Sequence, residues 1–242
     1  MKILIIGGTK FLGRHLITAA QTGNHEVTIF NRGKFSDEIF ADIEQIRGDR
    51  NSDLDKLENR NWDAVIDTCG YLPQSVKISA KALQNKVEHY IFISSISAYA
   101  DFSQPNFDET ARIAKLTESQ EIELAKIDIK GDLTAYALGE MYGALKVSCE
   151  AEIERAMPNR TLIVRPGLIV GEYDWTDRFS YWVMRIARGG EVLAPANPNR
   201  FIQFIDAQDL AEWTIKMVEN KQVGVFNATG KPSQLTMQNF FD

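Results

Sequence analysis

A chain of 242 residues, 44% of them hydrophobic and 25% charged, has ordinary globular composition and the length for one sizeable core. Its 33 acidic against 27 basic residues leave a net charge of −6, which argues against a nucleic-acid partner, because affinity for a phosphate backbone comes from clustered Lys and Arg. No apolar run reaches membrane length, and Met1 to Ile6 is too short for a leader's apolar stretch, so the expectation is a cytosolic protein with no membrane partner.

The chain alternates short apolar runs with helix-like segments from its first residue. "KILIIG" reads as a strand, and "FLGRHLITAAQTG" follows as a helix, with Leu12, Leu16, Ile17 and Ala20 on one face and Gly23 as a stop. "HEVTIFN", "WDAVIDT", "HYIFISS" and "TLIVRPG" are further strands, so the pattern is one of βαβ units on a parallel sheet. Ile3 to Ile6 and Ile91 to Ile93 lack two-residue alternation, as expected of central strands covered on both faces. Between residues 101 and 138 the pattern gives way to a polar, charge-mixed excursion at the sheet's carboxyl edge, where loops commonly carry ligand contacts. After Pro166 come "FSYWVMRIARGG", an amphipathic helix closed by Gly189 and Gly190, and "FIQFIDAQDLAEWTIKMVEN", a strand and a helix that Asp209 is placed to cap. The expected fold is α/β, a Rossmann-type doubly wound parallel sheet. Residues 1–165 form a dinucleotide-binding domain, and 166–242 a small substrate region interleaved with the last sheet elements. Cys69 and Cys149 fit no metal-ligand spacing or disulfide framework and read as buried hydrophobes, and the scattered His15, His25 and His89 suggest no bound metal.

"IIGGTKFLG" stands between a strand and a helix, the context a phosphate-binding turn requires. Gly7 permits the tight turn, the helix N-terminus offers N–H groups and positive dipole to a pyrophosphate, and Gly13 lets helix and strand pack closely. The expected contacts are Gly7, Thr9, Lys10, Phe11, Leu12 and Gly13. Lys10 stands where the middle glycine of the spacing belongs, so either the turn is wider or Lys10 points outward and meets phosphate by charge. Where the second strand ends, Asn31-Arg32-Gly33 replaces the acid that would receive a ribose 2′-hydroxyl. Arg32 suits a 2′-phosphate, with its permanent charge and fork of donors, so NADP is expected ahead of NAD. Asp49 and Arg50, near the end of a third strand, either flank the adenine or form a plain polar turn.

"EMYGALKVSCEAEIERAM" has helical periodicity, which places Tyr142 and Lys146 one turn apart on a common face. A phenol ordinarily titrates near ~10, and an adjacent ammonium favours its ionised form, as a tyrosine acid/base requires. Ser94, Ser95 and Ser97 lie at a strand's carboxyl end, where ligand chemistry gathers in open α/β sheets. Ser95 is the expected partner of a substrate oxygen, while Ser94 and Ser97 more simply satisfy turn N–H groups. A dehydratase would need an acid pair beside Ser95, where Ile96 and Ser97 stand instead. Asp177 and Arg178 read as substrate contacts at a helix start, with a helix cap an equal alternative for Asp177.

"GGTKFLG", "FNRG", "GDR", "SSISAY", "YGALK", "VRPGLIVG", "QFIDAQDLA" and "GVFNATG" occur in the order seen in the extended short-chain dehydrogenase/reductase superfamily, also called the NAD-dependent epimerase/dehydratase family, which the chain resembles nearly end to end. The resemblance implies catalytic Ser95, Tyr142 and Lys146, with Pro166 passing the nicotinamide. It also implies an oxidoreductase or epimerase acting on a carbonyl or alcohol, sugar-related or otherwise, and a homodimer. Lys10 resembles an atypical branch written GGTxFxG, which also holds an RNA-binding relative, so a non-catalytic NADP sensor or RNA binder is the alternative. The interval from Ser95 to Tyr142 is longer than in sugar epimerases, and "LTMQNFFD" stops where the family continues, which suggests a truncated substrate region.

Overall fold

The computed structural model describes residues 1–34, 40–129, 134–195, 197–231 and 235–242; parts of the 101–138 excursion and of the 166–242 region therefore lie outside the described residues. In chain order the elements are β1 (Lys2–Ile6), α1 (Leu12–Thr22), β2 (Glu26–Asn31), β3 (Glu44–Arg47), β4 (Trp62–Asp67), α2 (Pro73–Leu83), β5 (Val87–Ile93), α3 (Glu118–Leu124), α4 (Ala135–Leu138) and α5 (Tyr142–Ala156). They continue with β6 (Thr161–Pro166), β7 (Leu168–Val170), α6 (Ser180–Ala187), β8 (Phe204–Asp206), α7 (Ala207–Glu219), β9 (Gly224–Ala228) and α8 (Met237–Phe241). Seven strands pair in the order β3-β2-β1-β4-β5-β6-β9, all parallel, and β7 and β8 form a separate parallel pair. This is the doubly wound Rossmann-type sheet. The order reverses between β1 and β4, which opens a crevice at their carboxyl ends.

The central strands feed two cores through alternate residues. Ile3 and Ile5 face Leu16 and Ile17 of α1 and Leu210 and Ile215 of α7, whereas Leu4 and Ile6 face Val76 and Ala80 of α2 and Cys149 and Ile153 of α5. Because both faces are covered, almost every position of β1 and β4 is apolar and buried, which explains the missing two-residue period. The chain after Pro166 divides between two structures: α7 and β9 complete the main sheet, while Phe179, Phe204 and Phe240 gather beside the β7–β8 pair. No helix of the described residues is long and apolar enough to cross a membrane.

Two sequence expectations about helix starts are corrected. The cap of α7 is Asp206, whose carboxylate accepts from the N–H groups of Gln208 at 2.7 Å and Asp209 at 3.3 Å, because Asp209 already lies in the first turn. Asp177 caps nothing with its side chain: its φ is +56°, and α6 begins only at Ser180, with Phe179 at the N-cap. Asp206→Ala should therefore lower stability by about 1 kcal/mol and Asp209→Ala by a few tenths at most, a difference that paired urea melts resolve.

Candidate functional site

The turn after β1 has no room for a side chain at Gly7 or Gly13. A Cβ on Gly7, at φ +95°, would stand 2.5 Å from Thr68 Oγ1 at the end of β4, and one on Gly13 would stand 2.5 Å from Gly8 Cα. The first turn of α1 is thus seated on the backbone of Gly8, and its Gly13 and Arg14 N–H groups donate to the turn carbonyls of Lys10 and Phe11, each at 2.9 Å. The turn absorbs Lys10 by an unusual step: Phe11, the N-cap of α1, takes φ +36°, a region that non-glycine residues rarely enter. Lys10 itself is turned outward, its ammonium 5.4 Å from the ring centre of Trp175.

At the end of β2, Asn31 Oδ1 accepts from Gly33 N at 2.7 Å and, in a very short bond, from Arg47 Nη1. Register pairs Asn31 with Arg47, which brings a second guanidinium beside Arg32. Arg32, Arg47, Gly48, Asp49, Asp53 and Lys56 line a cleft of about 310 Å³, at the lower end of the range for small-ligand sites. Reading the sequence singles out Arg32 and passes over Arg47. The signal was one basic residue at the end of the neighbouring strand, and it has meaning only once β2 and β3 are paired.

Asp49 lines that cleft, but Arg50 does not. Its guanidinium turns inward onto Asp67, with Nη1 2.9 Å from Oδ1 and Nη2 2.6 Å from Oδ2, and Nη2 also donates to Ser79 Oγ at 2.5 Å. Tyr90 OH donates to the same carboxylate at 2.9 Å. Asp67 is fully buried, and a buried carboxylate must be paired, which is why Arg50 turns inward and does not line the cleft. Burial acts to raise the Asp67 carboxyl, yet the Arg50 charge and the hydrogen bonds from Arg50, Tyr90 and Cys69 hold it below its ordinary value. Cys69 is only half-buried, contrary to expectation, because it lines the same turn 3.2 Å from where a Gly7 Cβ would lie.

Helix α5 brings Tyr142 and Lys146 to the ends of β4 and β5. A Cβ on Gly143 would lie 1.9 Å from Ser97 O, so the first turn of α5 rests directly on the segment after Ser95. Lys146 is 3% exposed, and its ammonium donates to Ile93 O at 2.7 Å and Gly70 O at 2.9 Å, with the Phe92 ring centre 4.5 Å away. Of its three N–H groups two are thereby committed to carbonyls. Tyr142 is half-buried, its ring 6.5 Å from that of Tyr71. Burial, followed by the neighbouring Tyr142, pushes the Tyr71 phenol far above its ordinary range.

Ser95 Oγ accepts from Ser97 N at 3.1 Å and donates to Ser97 Oγ at 3.2 Å, while Ser94, expected to satisfy a turn N–H, turns to a carboxylate instead. Ser94 donates at 2.5 Å to Glu150, whose carboxylate also takes both Nε (3.0 Å) and Nη2 (2.6 Å) of Arg165. This buried triad ties α5 to β5 and β6 and was not anticipated. Pro166, the last residue of β6, follows directly on it. Asp177 and Arg178 are exposed, and Arg178 Nε donates to Thr176 Oγ1 at 2.8 Å.

The strand order and the crevice define a doubly wound α/β fold, and comparison with known proteins places it among others. No protein-family profile matches the chain. The chloroplast stem-loop binding protein of 41 kDa b of Arabidopsis thaliana is 27% identical over 95% of this chain, which spans 59% of that protein's length. Among solved structures, UDP-N-acetylglucosamine 4-epimerase from Bacillus cereus is 20% identical with a TM-score of 0.68, covering 100% of this chain and 82% of its own. UDP-glucuronic acid 4-epimerase from the same organism, in complex with NAD, is 19% identical with a TM-score of 0.70, covering 96% and 78%. A human epimerase family protein with NADPH is 18% identical with a TM-score of 0.67, covering 99% and 77%. In fold as in motif order, then, the chain resembles the extended short-chain dehydrogenase/reductase superfamily.

Proposed function

We propose that this chain binds NADP(H) across the β1–β4 crevice and serves oxidoreductase or epimerase chemistry on a carbonyl or alcohol. The observation that carries the reading is the turn at Gly7 and Gly13, where a side chain would collide with Thr68 or with the Gly8 backbone, so that the chain between β1 and α1 is kept as close to the sheet as a pyrophosphate turn requires. Two further features fit a dinucleotide. Asn31 Nδ2 is buried without a partner among the described residues at the ribose end, and Arg32 and Arg47 share one cleft. The neighbours solved with NAD or NADPH lend their fold to the same assignment.

The nicotinamide, when bound, supplies or accepts hydride. This chain's part is to hold and move the proton. Tyr142 passes its phenolic proton to or from the substrate oxygen, and Lys146 presents its remaining N–H and its charge beneath it. Ser95 donates a hydrogen bond to the same oxygen after releasing Ser97. Pro166 borders the nicotinamide, while Asp177 and Arg178 meet the substrate from the other side.

Calorimetric titration tests the cofactor assignment first. NADPH should bind at least about tenfold more tightly than NADH, and Arg32→Ala should erase that difference. Equal binding of the two cofactors by the unaltered chain would overturn the choice of NADP. With a carbonyl substrate in hand, Tyr142→Phe should cut turnover by roughly a hundredfold or more while leaving NADPH binding in place. A second reading, a stem-loop RNA binder, is favoured by the Arabidopsis relative and opposed by the net charge of −6. It gains ground if neither dinucleotide binds and a labelled RNA hairpin is retarded at physiological salt.

A further inference from the structure

Beyond β1 the chain passes through two residues at positive φ, Gly7 at +95° and Gly8 at +83°. Gly7 N still donates to Phe30 O of β2 at 2.9 Å, while on the β4 side the main-chain bonding ends with Thr68 N donating to Ile6 O at 3.1 Å. Gly8 is buried, and a Cβ on it would meet Ile5 and Ile17 at 3.1 and 3.3 Å, so its N–H must find a partner inside the protein. That partner is a side chain. Thr68, the residue after β4, donates its hydroxyl proton to Ile6 O at 2.9 Å, which leaves a lone pair of the same oxygen to accept from Gly8 N at 3.3 Å. The hydroxyl sits inside the bend, since Thr68 Oγ1 is the atom 2.5 Å from where a Gly7 Cβ would lie. Register fixes its place, because Ile6 pairs with Asp67, and the residues around it are engaged elsewhere: Asp67 with Arg50, and Gly70 O with Lys146.

We infer that Thr68 is a positioning residue for the dinucleotide site, its hydroxyl holding the Gly7–Gly8 backbone in the conformation that a bound pyrophosphate requires. The inference rests on the dinucleotide reading above and adds to it a residue of another strand, 60 positions from the glycine it holds. The turn needs such a pin. Gly7, Gly8 and Phe11 all stand at positive φ, Phe11 at +36° despite its side chain, and a backbone of this kind persists only where its surroundings over-determine it. Two adjacent glycines also have the widest conformational freedom of any dipeptide, and a turn left loose would surrender that freedom only on binding, at the expense of affinity. The Thr68 hydroxyl removes much of it before any ligand arrives. A valine of the same shape would fill the space and leave the Gly8 N–H buried and unpaired.

The test is calorimetric titration of NADPH into the full chain and three variants, with phosphorus NMR of the bound cofactor. Thr68→Val and Thr68→Ala lack the hydroxyl, and Thr68→Ser keeps it. The first two should weaken binding about tenfold and Thr68→Ser by less than about threefold, because only a hydroxyl accepts from the Gly8 N–H. In Thr68→Ala the pyrophosphate resonances of bound NADPH should move while the 2′-phosphate resonance stays in place, a pattern that a general loss of stability would not produce. The comparison of Thr68→Ser with Thr68→Ala decides the matter even if Thr68→Val fails to fold. Affinities that follow side-chain volume, with Thr68→Val like the unaltered chain and Thr68→Ser like Thr68→Ala, would overturn the inference and leave the cofactor assignment standing, as would unchanged binding in all three. If the unaltered chain binds neither NADPH nor NADH, the cofactor assignment falls and this inference with it.

Discussion

Asp67→Ala is expected to cost about 3–5 kcal/mol of folding stability, the usual penalty for stranding one partner of a buried ion pair. The substitution leaves the Arg50 guanidinium among Ser79, Cys69 and Tyr90 with no counter-charge, its side chain only 10% exposed. Burial disfavours that cation, and Asp67 is the foremost of the groups that favour its charged form. The pair also dictates a pH dependence. Because the Asp67 carboxyl sits below its ordinary value of 3.8 in the folded chain, its stabilising contribution is fully present above that pH and is lost as pH falls through the depressed native value. Denaturant melts at pH 7 and over the acid range will show it: the unaltered chain should lose stability below about pH 4, and Asp67→Ala should lack that part of the loss. A double variant, Asp67→Leu with Arg50→Met, should recover most of the deficit, since an apolar pair of similar volume avoids desolvation altogether. If Asp67→Ala melts within 1 kcal/mol of the unaltered chain, the buried pair is not the anchor described here.

Gly143→Ala should be nearly as damaging, and it bears directly on the proposed chemistry. The new Cβ would stand 1.9 Å from Ser97 O, a backbone atom, so no side-chain rotation relieves the clash and α5 must retreat from the 94–98 segment. Overpacking of this kind costs about 1–3 kcal/mol. The retreat would also carry Tyr142 away from Ser95 and stretch the bonds from Lys146 to Ile93 and Gly70. Gly167→Ala is the control, because its nearest contact is the Thr229 methyl at 3.3 Å, which can shift. A thermal melt in which Gly143→Ala matches Gly167→Ala would contradict the close seating of α5. With a substrate available, turnover in Gly143→Ala should fall far more than NADPH affinity, since the turn after β1, to which we assign the pyrophosphate, lies on the other side of the sheet's switch point.

Ser94, Glu150 and Arg165 form a second buried ionic group at the other side of the site. Arg165 is held charged against its burial by Glu150, and its guanidinium lies 4.8 Å from the Tyr99 ring centre. Tyr99 in turn donates to Asn227 Oδ1 at 2.7 Å, which joins the carboxyl ends of β5, β6 and β9 in one network. The two ionic groups, Arg50–Asp67 and Arg165–Glu150, flank Lys146. A lysine that is 3% exposed is tolerated here because main-chain carbonyls, rather than a carboxylate, accept its protons.

Local chemistry made much of this protein readable from its residues alone. Ile3 to Ile6, Gly7, Leu16 and Ile17 announce a buried strand, a tight turn and a helix face because each depends on neighbours within a few positions. The Tyr142–Lys146 spacing likewise needs only helical geometry. What the sequence could not determine was where polar side chains spend their hydrogen bonds. Arg50 looks like a ligand contact until β4 is placed and Asp67 is found buried beneath it. Asp209 reads as the cap of α7, and only the backbone at the end of β8 gives that place to Asp206. Lys146 meets Gly70, and Trp175 meets Lys10, across separations that no local pattern encodes. The physical reason is one throughout: apolar periodicity reports which face is buried, whereas the partner of a buried or strained polar group is whatever the tertiary fold brings within 3 Å of it.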